Sequence, residues 1–147
     1  MASETSGHRT IVLESVPEAI VGACKEILSD LRSQNFSEED IFAVHLAVQE
    51  AFVNAMKHGN RMDSSKKVKI DYCITDDKVD ISLTDEGAGF DPEGVPDPRC
   101  GENIYKANGR GLLLMRCYMD MVEYSDRGNC VHLVRYREKP RLGRAGQ

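Results

Sequence analysis

No apolar run in the chain reaches the roughly 18 residues needed to cross a bilayer, and Met1 to Thr10 lacks the apolar core of a signal segment. The expected location is the cytoplasm, with no membrane partner. Paired ligand spacings are missing as well. The five cysteines (Cys24, Cys73, Cys100, Cys117 and Cys130) form no C-x-x-C pair, and His8, His45, His58 and His132 show no ligand spacing. The thiols therefore read as reduced packing residues, and neither a disulfide frame nor a protein-only metal cage is expected. Excess positive charge is also absent. A net charge of -5 argues against a general nucleic-acid binder. The basic residues that cluster at the end (Arg135, Arg137, Lys139, Arg141 and Arg144) read as a solvated strand end and a disordered tail. There is no internal repeat, no low-complexity segment and no Walker A sequence.

What is present fits one domain of 147 residues with an ordinary share of hydrophobic residues, 41%. Residues 9–14 predict a first strand. Ser15, with Pro17 and Glu18 behind it, predicts a capped helix start, and Ser33-Gln34-Asn35 its end. Ser37 followed by Glu38, Glu39 and Asp40 predicts a second start, with carboxylates at the positive end of the dipole. The stripe of Ile41, Val44, Val48, Ala51 and Phe52 is core, and Gly59 reads as the helix stop. Strict alternation through Val68, Ile70, Tyr72 and Ile74, then Val79, Ile81 and Leu83, predicts an antiparallel hairpin with one buried face. Residues 85–109 form a long loop, of the kind that is usually functional. A helix from Leu112 and a last hairpin around Arg127-Gly128-Asn129 complete the pattern. The order predicts an α+β fold, with helices on one face of a largely antiparallel sheet.

Four features carry chemistry. Glu50-x-x-x-Asn54 places a carboxylate and an amide one helical turn apart, and His58 continues the line. Such a pair can hold a polarised hydroxyl beside a metal; taken alone, it reads as a solvated helix edge. Asp85-Glu86-Gly87-Ala88-Gly89-Phe90 follows a strand directly, and its glycines let the backbone approach a flat ligand closely. Taken alone, it is also a tight turn with a capping aspartate. A Rossmann fingerprint is excluded because position 92 is Pro92 and hairpins replace the βαβ unit. Gly109-Arg110-Gly111-Leu112 opens the third helix, where exposed N–H groups suit phosphate, or simply start a helix. The segment between the last two features is placed to close as a lid.

Together, Glu50-Ala51-Phe52-Val53-Asn54-Ala55-Met56-Lys57-His58-Gly59, Asp85 to Phe90 and Gly109 to Leu112 resemble the N, G1 and G2 boxes of the GHKL ATPase superfamily. Within it, the run Gly109 to Asp120 is similar to the anti-sigma-factor serine kinases. The resemblance implies a two-layer Bergerat ATP-binding fold on a mixed, largely antiparallel sheet. Residues 9–137 would be the kinase domain, between a flexible segment 1–8 and a basic tail 138–147. It implies ATP and Mg²⁺, with Glu50 as general base and Asn54 as metal ligand. His58, Asp85, Gly87, Gly89, Gly109, Arg110, Gly111, Leu112 and Asn129 would line the nucleotide, Asp85 accepting from the adenine amino group. Asn129 stands where that family often has threonine, and Asn103, Lys106 and Asn108 lie in the lid.

The function so implied is a serine protein kinase and anti-sigma factor. It would phosphorylate a STAS-type anti-anti-sigma protein, sequester a sigma factor and work as a homodimer. The alternative is an ATP-binding regulatory switch without phosphoryl transfer.

Overall fold

The computed structural model describes residues 8–87, 109–125 and 128–137. The terminal segments, most of the 85–109 loop including Gly89, and Arg127 lie outside the described residues. Strand β1 (His8–Glu14) leads through a turn into helix α1 (Ala19–Ser33), and helix α2 (Glu38–Asn54) runs on into a wide π-helical turn, Ala55–Gly59. Then come β2 (Lys67–Ile74), β3 (Lys78–Asp85), α3 (Gly109–Tyr118), β4 (Met121–Tyr124) and β5 (Cys130–Tyr136). The strands order as β1-β2-β3-β5-β4. The expected largely antiparallel sheet is antiparallel in every one of these pairings.

Period-two alternation decides which face is covered. Val68, Ile70, Tyr72 and Ile74 on β2 and Val79, Ile81 and Leu83 on β3 are buried against the helices. The same parity carries two polar residues to that covered face. Asp85 continues the line of Leu83, and Arg135 continues that of Val131 and Leu133. α2 is the central helix: Ile41, Val44, Ala47, Val48, Ala51 and Phe52 are all buried. Its predicted cap is present, with Asp40 N–H donating to Ser37 Oγ at 3.0 Å. α1 ends on Asn35 in the left-handed region (φ 66°), and Phe36 N–H reaches back to Leu31 O at 3.1 Å. That is the closure a left-handed residue allows.

Two expectations need correction. Ser15 does not cap α1; Glu18 holds that position with no side-chain cap bond. A local Ser-x-x-Glu pattern lost to tertiary partners, described with the site below. Nor do Arg135 and Arg137 form a solvated strand end. Arg135 Nε meets the fully buried Asp40 at 2.7 Å while its Nη1 donates to Tyr118 O at 2.6 Å. Arg137 stacks over Phe36 with the guanidinium carbon 4.1 Å from the ring centre, and donates to Gln34 O and Asn35 O. These arginines tie β5 to α2, α3 and the α1–α2 connection. Elsewhere, buried Tyr72 donates to Asp30 of α1 at 2.6 Å, which fixes α1 on β2.

Removing one partner of a buried ion pair takes a counter-charge and a hydrogen bond from the other. Arg135→Ala should therefore lower unfolding free energy by about 3 kcal/mol, with an unchanged denaturant slope. Urea titration measures this, and a loss under about 1 kcal/mol, the level of a surface pair, would show the bridge to be incidental.

Candidate functional site

The site begins where α2 stops being an α-helix. Buried Val48, Ala51, Phe52 and Ala55 hold one side of α2 to the core, leaving Glu50 and Asn54 half-buried on its flank. Immediately after Asn54 the helix widens, with Asn60 N–H donating to Ala55 O at 2.8 Å, five residues back. Such π-turns recur at functional sites. The chain then reverses through Arg61 and Met62, both in the left-handed region (φ 55° and 61°). Non-glycine residues there cost of order 1–3 kcal/mol each and persist only where surrounding structure imposes them. His58 lies in the wide turn and is exposed.

Gly59 does end the helical run, as read, but without entering the left-handed region. A side chain there would collide with the carboxylate of Asp85. Gly87 is restricted in the same way, since a Cβ there would run into the carbonyl of Gly59. The two glycines let the π-turn and the turn after β3 touch backbone to backbone, with the Asp85 carboxylate packed between them. Gly87 N–H donates to Asp85 Oδ1 at 2.8 Å. No bond to Oδ2 forms among the described residues. Asp85 is 7% exposed, and burial raises its pKa above the ordinary carboxyl value. The Gly87 N–H and the charge of Lys66 pull the other way and do not win. A buried carboxylate with an open acceptor oxygen is suited to a ligand that brings a donor.

Asn129 joins from β5's approach. Its carbonyl accepts Asp85 N–H at 2.9 Å, and its side chain makes two long contacts of 3.4 Å, to Asp85 O and from Ser125 Oγ. Gly109, Arg110, Gly111 and Leu112 form the first turn of α3, as the sequence predicts of a helix opening there. No hydrogen bond joins Glu50 or His58 to Asp85 among the described residues; Gly59, next to His58, is the residue packed on the Asp85 carboxylate.

Asn54 offers the sharpest polar feature. Its Oδ1 is buried and has no hydrogen-bond partner. Buried amide oxygens are nearly always satisfied, so an orphan one asks for a ligand. It is a hard oxygen donor, and therefore fits Mg²⁺ bound by few protein ligands plus phosphate. Among the described residues, no group of three or more His, Cys, Asp or Glu is placed to hold a metal.

Sequence reasoning missed one residue outright. Asn60 is fully buried and saturated: Nδ2 donates to Ser15 Oγ (2.6 Å) and Lys67 O (3.0 Å), while Oδ1 accepts Glu86 N–H (2.8 Å). Ser15 Oγ in turn donates to Lys66 O at 2.9 Å. The only available signal was an asparagine directly after His58-Gly59.

The widened helix end that follows Glu50 and Asn54 is thus pressed on a strand-end carboxylate between two glycines. Residues 13–135 match the family described as Histidine kinase-like ATPase domain, and the chain belongs to it. Within the family it is similar to proteins named Serine-protein kinase RsbW. That of Listeria monocytogenes serovar 1/2a is 31% identical over 135 residues, covering 86% of this chain and 85% of the relative. That of Staphylococcus epidermidis is 30% identical over 119 residues, 76% of this chain and 75% of the relative. Among solved structures, the RsbU and RsbW domains of Rv1364c from Mycobacterium tuberculosis share the fold. The TM-score is 0.54 at 17% identity, over 91% of this chain and 34% of that one.

The raised Asp85 pKa has a defined sign. Its folded value lies above the unfolded one, so the folded state binds the extra proton and stability falls as pH rises through that window. Asp85→Asn removes the titration. The melting temperature of the variant minus that of the parent should thus increase between about pH 4 and about pH 7. A constant difference across that range would mean that Asp85 titrates as a solvated carboxyl.

Proposed function

We propose that this chain is an ATP- and Mg²⁺-dependent serine protein kinase of the anti-sigma type. It phosphorylates an anti-anti-sigma protein of the STAS class, sequesters a sigma factor, and acts as a cytoplasmic homodimer. Residues 9–137 are the catalytic domain. The observation that carries the reading is the orphan buried Oδ1 of Asn54, one residue before the π-turn whose Gly59 packs on the buried carboxylate of Asp85. Membership of the ATPase family and similarity to named serine-protein kinases support it.

The residues divide the work. Asp85 Oδ2 accepts from the adenine amino group, with Gly87 and Gly89 shaping the base pocket and Asn129 bracing the strand end. The first turn of α3, Gly109 to Leu112, presents backbone N–H groups to the phosphates, and the positive charge of Arg110 and the imidazole of His58 are assigned to the same ligand by the family resemblance. Asn54 Oδ1 holds Mg²⁺, which neutralises phosphate charge when bound. Glu50 draws the proton from the partner's serine hydroxyl; the serine oxygen then bonds to the γ-phosphorus as the bond to the ADP oxygen breaks. Such a site works by positioning and charge neutralisation.

Glu50 and Asn54 should fail in different ways. A positioned base is worth about 10²–10⁴-fold in rate. Glu50→Gln should still bind ATP-Mg²⁺ and the partner, yet transfer labelled phosphate at least about a hundredfold more slowly. Asn54→Ala should lose magnesium-dependent nucleotide affinity together with turnover. Parental transfer by Glu50→Gln removes Glu50 from the chemistry. A parent that binds ATP and partner but never transfers phosphate is a nucleotide-dependent switch.

A further inference from the structure

Asn60 does more than fill the core. It bolts together three pieces of backbone that sequence keeps far apart: Ser15 after β1, Lys67 at the start of β2, and Glu86 in the turn after β3. Two of its contacts span 45 and 26 residues. Its amide nitrogen donates twice and its oxygen accepts once, and the side chain is fully buried. The Glu86 N–H that it holds sits between Asp85, whose carboxylate is the buried acceptor, and Gly87, whose N–H sets that carboxylate's orientation. Asn60 also ends the π-turn that carries Gly59, the residue against which the carboxylate packs. One side chain therefore fixes both walls around Asp85.

We propose that Asn60, with Ser15 behind it, is a positioning residue that sets nucleobase selectivity by locking the Asp85-Glu86-Gly87 turn against the π-turn. It touches neither base nor phosphate. Loss of its Oδ1 frees the Glu86 N–H, and the turn loses the register that aims Asp85 Oδ2. An adenine presents an amino donor to that oxygen and a guanine presents a carbonyl, so a misplaced carboxylate loses adenine affinity first. Glu50 and Asn54 lie on α2 and the helix start that faces the phosphates belongs to α3, away from the Asn60 bonds; His58, in the π-turn, is the one phosphate-facing group next to them. Affinity and base preference should move while the maximal rate does not. The inference rests on the assignment of Asp85 to adenine.

The test compares full-length parent, Asn60→Ala, the milder Ser15→Ala, and Tyr72→Phe. Tyr72→Phe removes the buried bond to Asp30, and Tyr72 lies four residues along β2 from the Val68 that pairs Asp85, about 13 Å away. Kd for ATP and GTP, KM, kcat and melting temperature are read for each. Asn60→Ala should weaken ATP binding by about tenfold or more and narrow the ATP-over-GTP ratio, with kcat at saturating ATP within about threefold of parent. Ser15→Ala should shift both in the same direction by less, so the proposal stays testable if Asn60→Ala does not fold. Tyr72→Phe should lower the melting temperature with ATP and GTP affinities unchanged. If the Asn60 and Ser15 variants melt lower but keep the parental ATP-over-GTP ratio, both residues are merely structural and the proposal fails alone. If the parent itself does not prefer ATP, the adenine assignment falls and takes this inference with it.

Discussion

A carboxylate buried at a strand end, where backbone replaces side chains on either side of it, is the constraint from which the rest of this molecule follows. Asp85 reaches the covered face because strand parity leaves no other choice once Leu83, Ile81 and Val79 face the helices. Placing it there opposes stability, since an ionised group is held away from water with one oxygen open. The surroundings offset part of that cost through the Gly87 N–H and the charge of Lys66. They also impose a steric condition: Gly59 and Gly87 must lack side chains, or the two turns cannot meet. Gly59 and Gly87 are thus explained by close approach and not by positive φ. Among the described glycines only Gly128, in the last hairpin, is left-handed.

The π-turn is the second part of the same device. It follows Asn54 directly and gives way to two left-handed non-glycine residues. Backbone energy is being spent to bring the helix end to the strand end. What holds it is the Asn60 network on one side and the packing of α2 on the other, anchored at its start by the Asp40–Arg135 pair. The orphan Oδ1 of Asn54 sits one residue before this distortion. Left-handed backbone and an unpartnered buried oxygen meet at this edge, and both oppose stability.

The amphipathic patterns were readable because they are local. The Ser37 cap, the α2 core stripe and the β2–β3 alternation each depend on neighbours within a few residues, and each appears in the fold as read. Asp85 was readable too, from an acidic residue and glycines directly after a strand. Ser15 shows the limit. Its spacing to Glu18 satisfies a capping pattern, yet its hydroxyl is taken by Asn60 and Lys66 O from distant parts of the chain. Asn60 was invisible for the same reason, since nothing local marks an amide whose partners lie 45 residues before and 26 after it. Arg135 was legible in principle. Its parity with Val131 and Leu133 points it inward, but a cluster of basic residues at the chain's end hides one that is paired.

On the proposed function, Asp85 and Asn54 are two ends of one nucleotide site. A crystal structure of the protein with Mg²⁺ and a non-hydrolysable ATP analogue tests it most directly. The expected complex has the adenine amino group donating to Asp85 Oδ2 and Mg²⁺ on Asn54 Oδ1, with the triphosphate against the first turn of α3. A nucleotide bound elsewhere, or one whose base turns away from Asp85 while Asn54 Oδ1 stays unligated, would contradict it.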